Sequence, residues 1–157
     1  MTRRIYNLKF KIYKAGFTLL ELLVVVAIIG ILTAVSIFAL QGARESSRDA
    51  KRKSDLELIK SGLELYKSDC GDYPQSLTTG QSLMGDGMPT SCALANEYIS
   101  TVPADPTSGR IYSYTRNLSD VTKYILCAAL EQVPTTTPGP GCGSCGGLPC
   151  NYQVTNP

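Results

Sequence analysis

Apolar positions change rhythm along the chain. From Phe17 to Leu40 they are nearly continuous, twenty-four residues whose only charge is Glu21. At 1.5 Å per residue such a helix spans about 36 Å, against about 30 Å for the hydrocarbon core of a bilayer, so the segment predicts a membrane crossing. Beyond it the spacing becomes three and four: Leu56, Ile59, Leu63 and Tyr66 form a stripe, and Leu58 and Leu65 are expected to widen it. One helix from about Phe17 to about Ser68, roughly 78 Å long, accounts for both patterns. Its second half is amphipathic and needs something to cover its stripe. Gly71 and Pro74 in "DCGDYPQS" stop it.

From Tyr73 to Pro106 the chain is rich in Gly, Pro, Ser and Thr and reads as an ordered but irregular loop, with a short helix expected around Ala93 to Ile99. Two strands follow, "RIYSYTR" (Arg110 to Arg116) and "VTKYILCAAL" (Val121 to Leu130), joined by the turn-forming "NLSD". Both faces of the second strand are largely apolar. One is expected to cover the helix stripe and the other to be partly exposed or packed on a neighbour. "VPTTTPGPG" is a low-complexity linker, and "CGSCGGLPCNYQVTNP" is too poor in apolar side chains to form a core unless it is stapled.

Charge changes the picture at the N-terminus. Five bases (Arg3, Arg4, Lys9, Lys11, Lys14) crowd the first sixteen residues, whereas residues 17 to 157 hold ten bases and thirteen acids, a net of −3. The basic excess therefore belongs to a leader, and no nucleic-acid partner is predicted. A second basic cluster, Arg44 to Lys53, is interleaved with Glu45 and Asp49 and reads as a solvated helix face; charge pairing between subunits is its functional alternative. The chain has no His, which removes the commonest general base and metal ligand. No catalytic triad, nucleotide loop or acid pair is visible, so no enzyme and no cofactor are predicted. Six cysteines, Cys70, Cys92, Cys127, Cys142, Cys145 and Cys150, all follow the apolar segment. An even count on one side of a membrane span predicts disulfides in an oxidising compartment, with the C-terminal part outside the cytoplasm. Four of them could hold zinc as an all-cysteine set, but disulfides are the better reading and no metal is predicted.

"KAGFTLLELLVVVAIIGIL" carries a resemblance. A basic leader ending in Gly16, then Phe17, Thr18, two leucines, Glu21 and a long apolar helix resembles the N-terminus of type IV prepilins and of the pseudopilins of type II secretion. "GLELYKSDCGDYP" and "VPADPTSGRIYSY" are similar to the helix end and the loop before the sheet in major pseudopilins. The resemblance implies cleavage after Gly16 by a membrane-embedded prepilin peptidase, which also methylates Phe17. It implies a leader over residues 1–16, a membrane and filament-core helix over 17–40, the amphipathic half of that helix over 41–70, and a globular head over 71–157. The fold implied is α+β and pilin-like: a long N-terminal helix packed on a small antiparallel sheet, with a disulfide-held C-terminal loop. Glu21 would pair with the new amine of Phe17 on another subunit. A carboxylate in hydrocarbon costs roughly 2.5 kcal/mol or more, and the helix dipole returns only about 0.3 to 1 kcal/mol.

Family members can melt locally from a Gly at this depth to a proline eight residues on. Here Gly30 is followed by Phe38, which favours an unbroken helix. Major pseudopilins bind calcium near the sheet, but only Asp105 and Asp120 lie at hand, so loop capping is expected instead. Asn117 opens a glycosylation sequon, "NLS", which reads more simply as a turn. Pairing is left among fifteen connectivities, with a preference for Cys70 to Cys92 and for Cys127 to one of the last three.

The function expected first is a structural subunit of a type IV pilus-like filament, with adhesion, motility and DNA uptake undivided. A secretion pseudopilin comes second, and a single-pass anchored binding module third. Expected partners are copies of itself and other pilins, the prepilin peptidase, the membrane platform of the assembly machine, and lipid before assembly. The expected location is the cytoplasmic membrane in a single pass, then a surface pilus or a periplasmic filament.

Overall fold

A computed structural model describes residues 16–132 and 141–156; the leader before Gly16 and most of the "VPTTTPGPG" linker lie outside the described residues. The fold is α+β. One helix, α1 (Leu19–Cys70), is followed by five short strands: β1 (Leu83–Met84), β2 (Glu97–Ile99), β3 (Ser113–Arg116), β4 (Tyr124–Ala128) and β5 (Tyr152–Thr155). The chain divides into two compact units at Leu40.

In the first unit α1 runs through Gly30 and Phe38 without a break. Its apolar side chains are exposed all round, and it is the one described helix long and apolar enough to cross a membrane. Polar side chains inside this stretch are satisfied locally. The hydroxyls of Thr33 and Ser36 donate to the carbonyls of Ile29 and Leu32 at 2.7 and 2.8 Å, so neither hydroxyl requires water.

In the second unit the helix stripe is the core. Leu56, Ile59, Leu63, Tyr66 and Cys70 are buried against Tyr73, Leu83, Ile99, Val102, Tyr124, Leu126, Ala128 and Val154. Leu58 and Leu65 do not widen the stripe as expected; they are 51% and 60% exposed. Each sits two residues beyond a core leucine, which is about 200° around a helix. Gly62 allows β2 to approach, because a Cβ there would lie 2.2 Å from Cγ1 of Ile99. Gly71, at φ +90°, ends the helix and donates its N–H to the Lys67 carbonyl at 2.8 Å.

β1 and β2 form an antiparallel pair, and β3, β4 and β5 form an antiparallel sheet in that order. The short helix expected at Ala93 to Ile99 is absent. Two tight turns, Cys92 N–H to Pro89 C=O and Asn96 N–H to Ala93 C=O, lead instead into β2. Cys92 is bridged to Cys70 and Ser91 donates to the Asp69 carbonyl, so the segment is tied to the end of α1 and too short to repay helix nucleation. The two expected strands are present but trimmed to Ser113–Arg116 and Tyr124–Ala128, because Asn117 to Lys123 is spent on the turn. There the Asn117 carbonyl side chain accepts from the N–H groups of Ser119 and Asp120 at 2.9 and 3.2 Å. β5 was not expected. Its register brings Val154 opposite Leu126 and Gln153 opposite Cys127. Alternation along β4 sends Tyr124, Leu126 and Ala128 to the helix side. Cys127 and Ala129 turn to a second cluster made with Cys142, Cys145 and Cys150.

The basic cluster contains a surprise. Arg52 is not solvated but fully buried, and all five of its N–H donors are used. Nε and Nη2 grip Asp105 at 2.8 and 3.0 Å, Nη1 donates to Asp49 at 2.7 Å and Glu131 at 2.9 Å, and Nη2 also reaches Thr107 at 2.8 Å. Asp49 in turn accepts from the backbone N–H groups of Glu131 and Gln132, both at 2.9 Å. Arg48 pairs with the same Glu131. Helix, loop and the chain after β4 thus meet on one guanidinium. Hydrogen bonding to Arg48, and secondarily to Arg52, holds the Glu131 carboxyl down to about 2, whereas its bonds to Asp105 push Arg52 upward.

Three outcomes are expected from thermal unfolding of the detergent-solubilised chain. Leu63→Ala should cost about 2 to 5 kcal/mol through the cavity it leaves. Arg52→Ala should cost about 3 to 5 kcal/mol, because three carboxylates lose their shared counter-ion. The depressed Glu131 contributes stability that is complete above its ordinary 4.5 and lost as pH falls toward about 2, so melting temperature should drop across that window and Glu131→Gln should flatten the drop.

Candidate functional site

Thr18 and Glu21 come together at the start of α1, beside Phe17 in the chain. Thr18 precedes the first helical residue, and Glu21 is the third residue of the helix. The Thr18 hydroxyl oxygen accepts from the Glu21 backbone N–H at 3.2 Å. In return, Oε2 of Glu21 accepts from the Thr18 backbone N–H and hydroxyl, both at 2.9 Å. This reciprocal arrangement is a capping box, which satisfies helix donors that would otherwise be orphaned at an apolar end. It also answers locally part of the question raised by an acid in an apolar span. Oε2 is fully engaged, while Oε1 has no hydrogen-bond partner among the described residues. Phe17 is 88% exposed, and Gly16 just before it is exposed with open space around it. Among the described residues nothing crowds Gly16.

The capping role of Thr18 is what the sequence reading passed over. Its signal was present as the pattern Thr-x-x-Glu ahead of an apolar run, which is the usual signature of a helix start.

The six cysteines form three bridges: Cys70–Cys92, Cys127–Cys142 and Cys145–Cys150. The first fastens the end of α1 to the loop before β2. The other two lie in the second cluster and cover the face of β4 turned away from the helix. Asp86 lies near the Cys70 and Cys92 sulfurs in a metal-like grouping, but those sulfurs are bonded to each other and offer no thiolate. Asp105 and Asp120 do not act as a pair. Asp105 is occupied by Arg52 and by the N–H of Thr107, and Asp120 caps Thr122 and pairs with Lys123 at 3.3 Å. Asn117 closes its turn.

Residues 12–37 match a family described as the prokaryotic N-terminal methylation motif, and residues 39–129 match one described as type II secretion system (T2SS), protein G. Among curated relatives, type II secretion system core protein G of Escherichia coli is 37% identical over 94 residues, 58% of this chain and 65% of that protein. The protein of the same description from Vibrio cholerae is 37% identical over 106 residues, 64% of this chain and 70% of that protein. The one from Aeromonas hydrophila is 36% identical over 101 residues, 59% and 67% respectively. The chain therefore spans about two thirds of the length of these relatives, and no solved structure matches it. With the methylation motif on the apolar helix and the second match covering more than half of the sequence, the chain belongs to the type II secretion system protein G family, within the type IV pilin class.

Proposed function

We propose that this chain is a structural subunit of a type II secretion pseudopilus, not an enzyme. The observation that carries the reading is the apolar surface of α1 from Leu19 to Phe38, whose large side chains are exposed on every face among the described residues. Only lipid or neighbouring copies can cover it, and a subunit that exchanges the first for the second meets that requirement in both states. The protein G relatives favour this reading over the surface pilus placed first by the sequence.

In this reading residues 1–16 are a cytoplasmic leader, removed by a prepilin peptidase between Gly16 and Phe17, and Phe17 is methylated. Residues 17–40 anchor the subunit in the cytoplasmic membrane in a single pass and become filament core. Residues 41–70 carry the head over 71–157, which lies outside the cytoplasm. The partners are copies of the chain, other pilins and the membrane platform that drives assembly.

Glu21 has two successive roles. In the lone subunit it closes the capping box with Thr18. In the filament its second oxygen meets the amine of Phe17 on an adjacent copy, a charge that exists only after cleavage. Keeping the box while adding the ion pair avoids the loss of about 1 kcal/mol that breaking a cap would bring.

Two measurements test the reading. Glu21→Ala should leave membrane insertion and leader cleavage unchanged but lower pseudopilus yield and protein secretion by more than about tenfold, equivalent to about 1.4 kcal/mol per contact; normal yield would sink the ion pair. Mass spectrometry of the mature chain should find residues 1–16 missing and one methyl on Phe17. An intact leader would count against the whole assignment.

A further inference from the structure

The bridges follow the order of the cysteines along the chain: first with second, third with fourth, fifth with sixth. Of the fifteen ways to pair six cysteines, one has this property. We propose that pairing is fixed by the order in which the cysteines leave the cytoplasm, each joined to the next to emerge by an exported thiol oxidant of the disulfide class, without need of a disulfide isomerase. The inference rests on the reading that the head is exported.

Two features of the head argue that folding does not choose the partners. The second cluster consists, among the described residues, of four cysteines and Ala129, with Ile125 packed against it. Leu148, an aliphatic residue of the segment being held, is 43% exposed. Within residues 141–150 no apolar side chain other than the cysteines is buried, so the segment brings little of its own to gather it before its bridges exist, and four thiols in one place can pair three ways. Cys142 and Cys145, separated by two residues within "CGSC", are the nearest wrong pair. Once the head is folded, correction is blocked. Cys92 and Cys145 are fully buried and Cys127 nearly so, and thiol–disulfide exchange requires access to the attacked sulfur.

Order of arrival resolves this. The Cys127 thiolate attacks the oxidant's disulfide, whose S–S bond breaks to give a mixed disulfide and one oxidant thiolate. The thiolate of Cys142, the next to arrive, attacks the Cys127 sulfur, forming the bridge and releasing the second oxidant thiolate. The two protons from the cysteines pass to the oxidant, which is reduced by two electrons. Cys145 and Cys150 repeat the sequence.

The test uses full-length Cys92→Ser, expressed in a host that keeps its exported thiol oxidant but lacks disulfide isomerase, with bridges mapped by mass spectrometry after thiol blocking. The expected majority species has its register shifted: Cys70–Cys127 and Cys142–Cys145, with Cys150 free. Retention of Cys127–Cys142 and Cys145–Cys150 with Cys70 free would mean that folding selects the pairs and would overturn the proposal, as would any other majority pattern. The double variant Cys70→Ser with Cys92→Ser restores an even count and should return Cys127–Cys142 and Cys145–Cys150; scrambling there would equally overturn it. Six free thiols in the unaltered chain would remove the exported head itself, and the proposal with it.

Discussion

Arg52 is the point on which the head depends. A guanidinium removed from water must have every donor matched and its charge balanced, or its burial costs several kcal/mol. Here five donors meet three carboxylates and a hydroxyl. Those groups come from α1 (Asp49), from the loop before β3 (Asp105, Thr107) and from the chain after β4 (Glu131). Hydrophobic contact alone would let a small sheet slide along a smooth helix stripe. A fully used planar fork admits one register. Nearby contacts extend the same logic: Tyr112 donates to Asp55 at 2.8 Å, and Lys51 pairs with Asp55 at 3.2 Å.

The two halves of α1 solve opposite problems with one backbone. The first half must offer an unbroken apolar surface, so each hydroxyl folds back onto a carbonyl one turn earlier and the single acid is turned onto Thr18. The second half must offer direction, and does so with a narrow buried stripe and charges placed within it. Within the first half the helix runs unbroken through Gly30 and Phe38.

Much of this was legible in the sequence, and what was missed has physical causes. The helix, its end at Gly71, the pairing of β3 with β4 and the two-faced character of β4 followed from apolar spacing and turn residues. The family followed from the Gly-Phe-Thr-x-x-Glu start. At Arg52 charge misleads as a sign of exposure, although 52, 56, 59 and 63 keep the spacing of the buried stripe. Periodicity was the better guide than polarity there. β5 was missed because four residues, Tyr152 to Thr155, form a strand only once β4 supplies the ladder and two bridges hold the intervening chain. The helix expected near Ala93 lost to a tether that local propensity cannot see.

The protein G match ends at residue 129, two residues before Glu131. Everything beyond it, including β5 and the last three cysteines, looks like an appendage, yet it is joined to the body at several points. Asn151 accepts from the Leu130 N–H at 2.6 Å and donates to its carbonyl at 2.9 Å, while Glu131 completes the charge balance around Arg52. The C-terminal segment is therefore not a removable module. Any tail exchanged for it at that boundary would have to bring both an acid to the same spot and a partner for the Leu130 backbone.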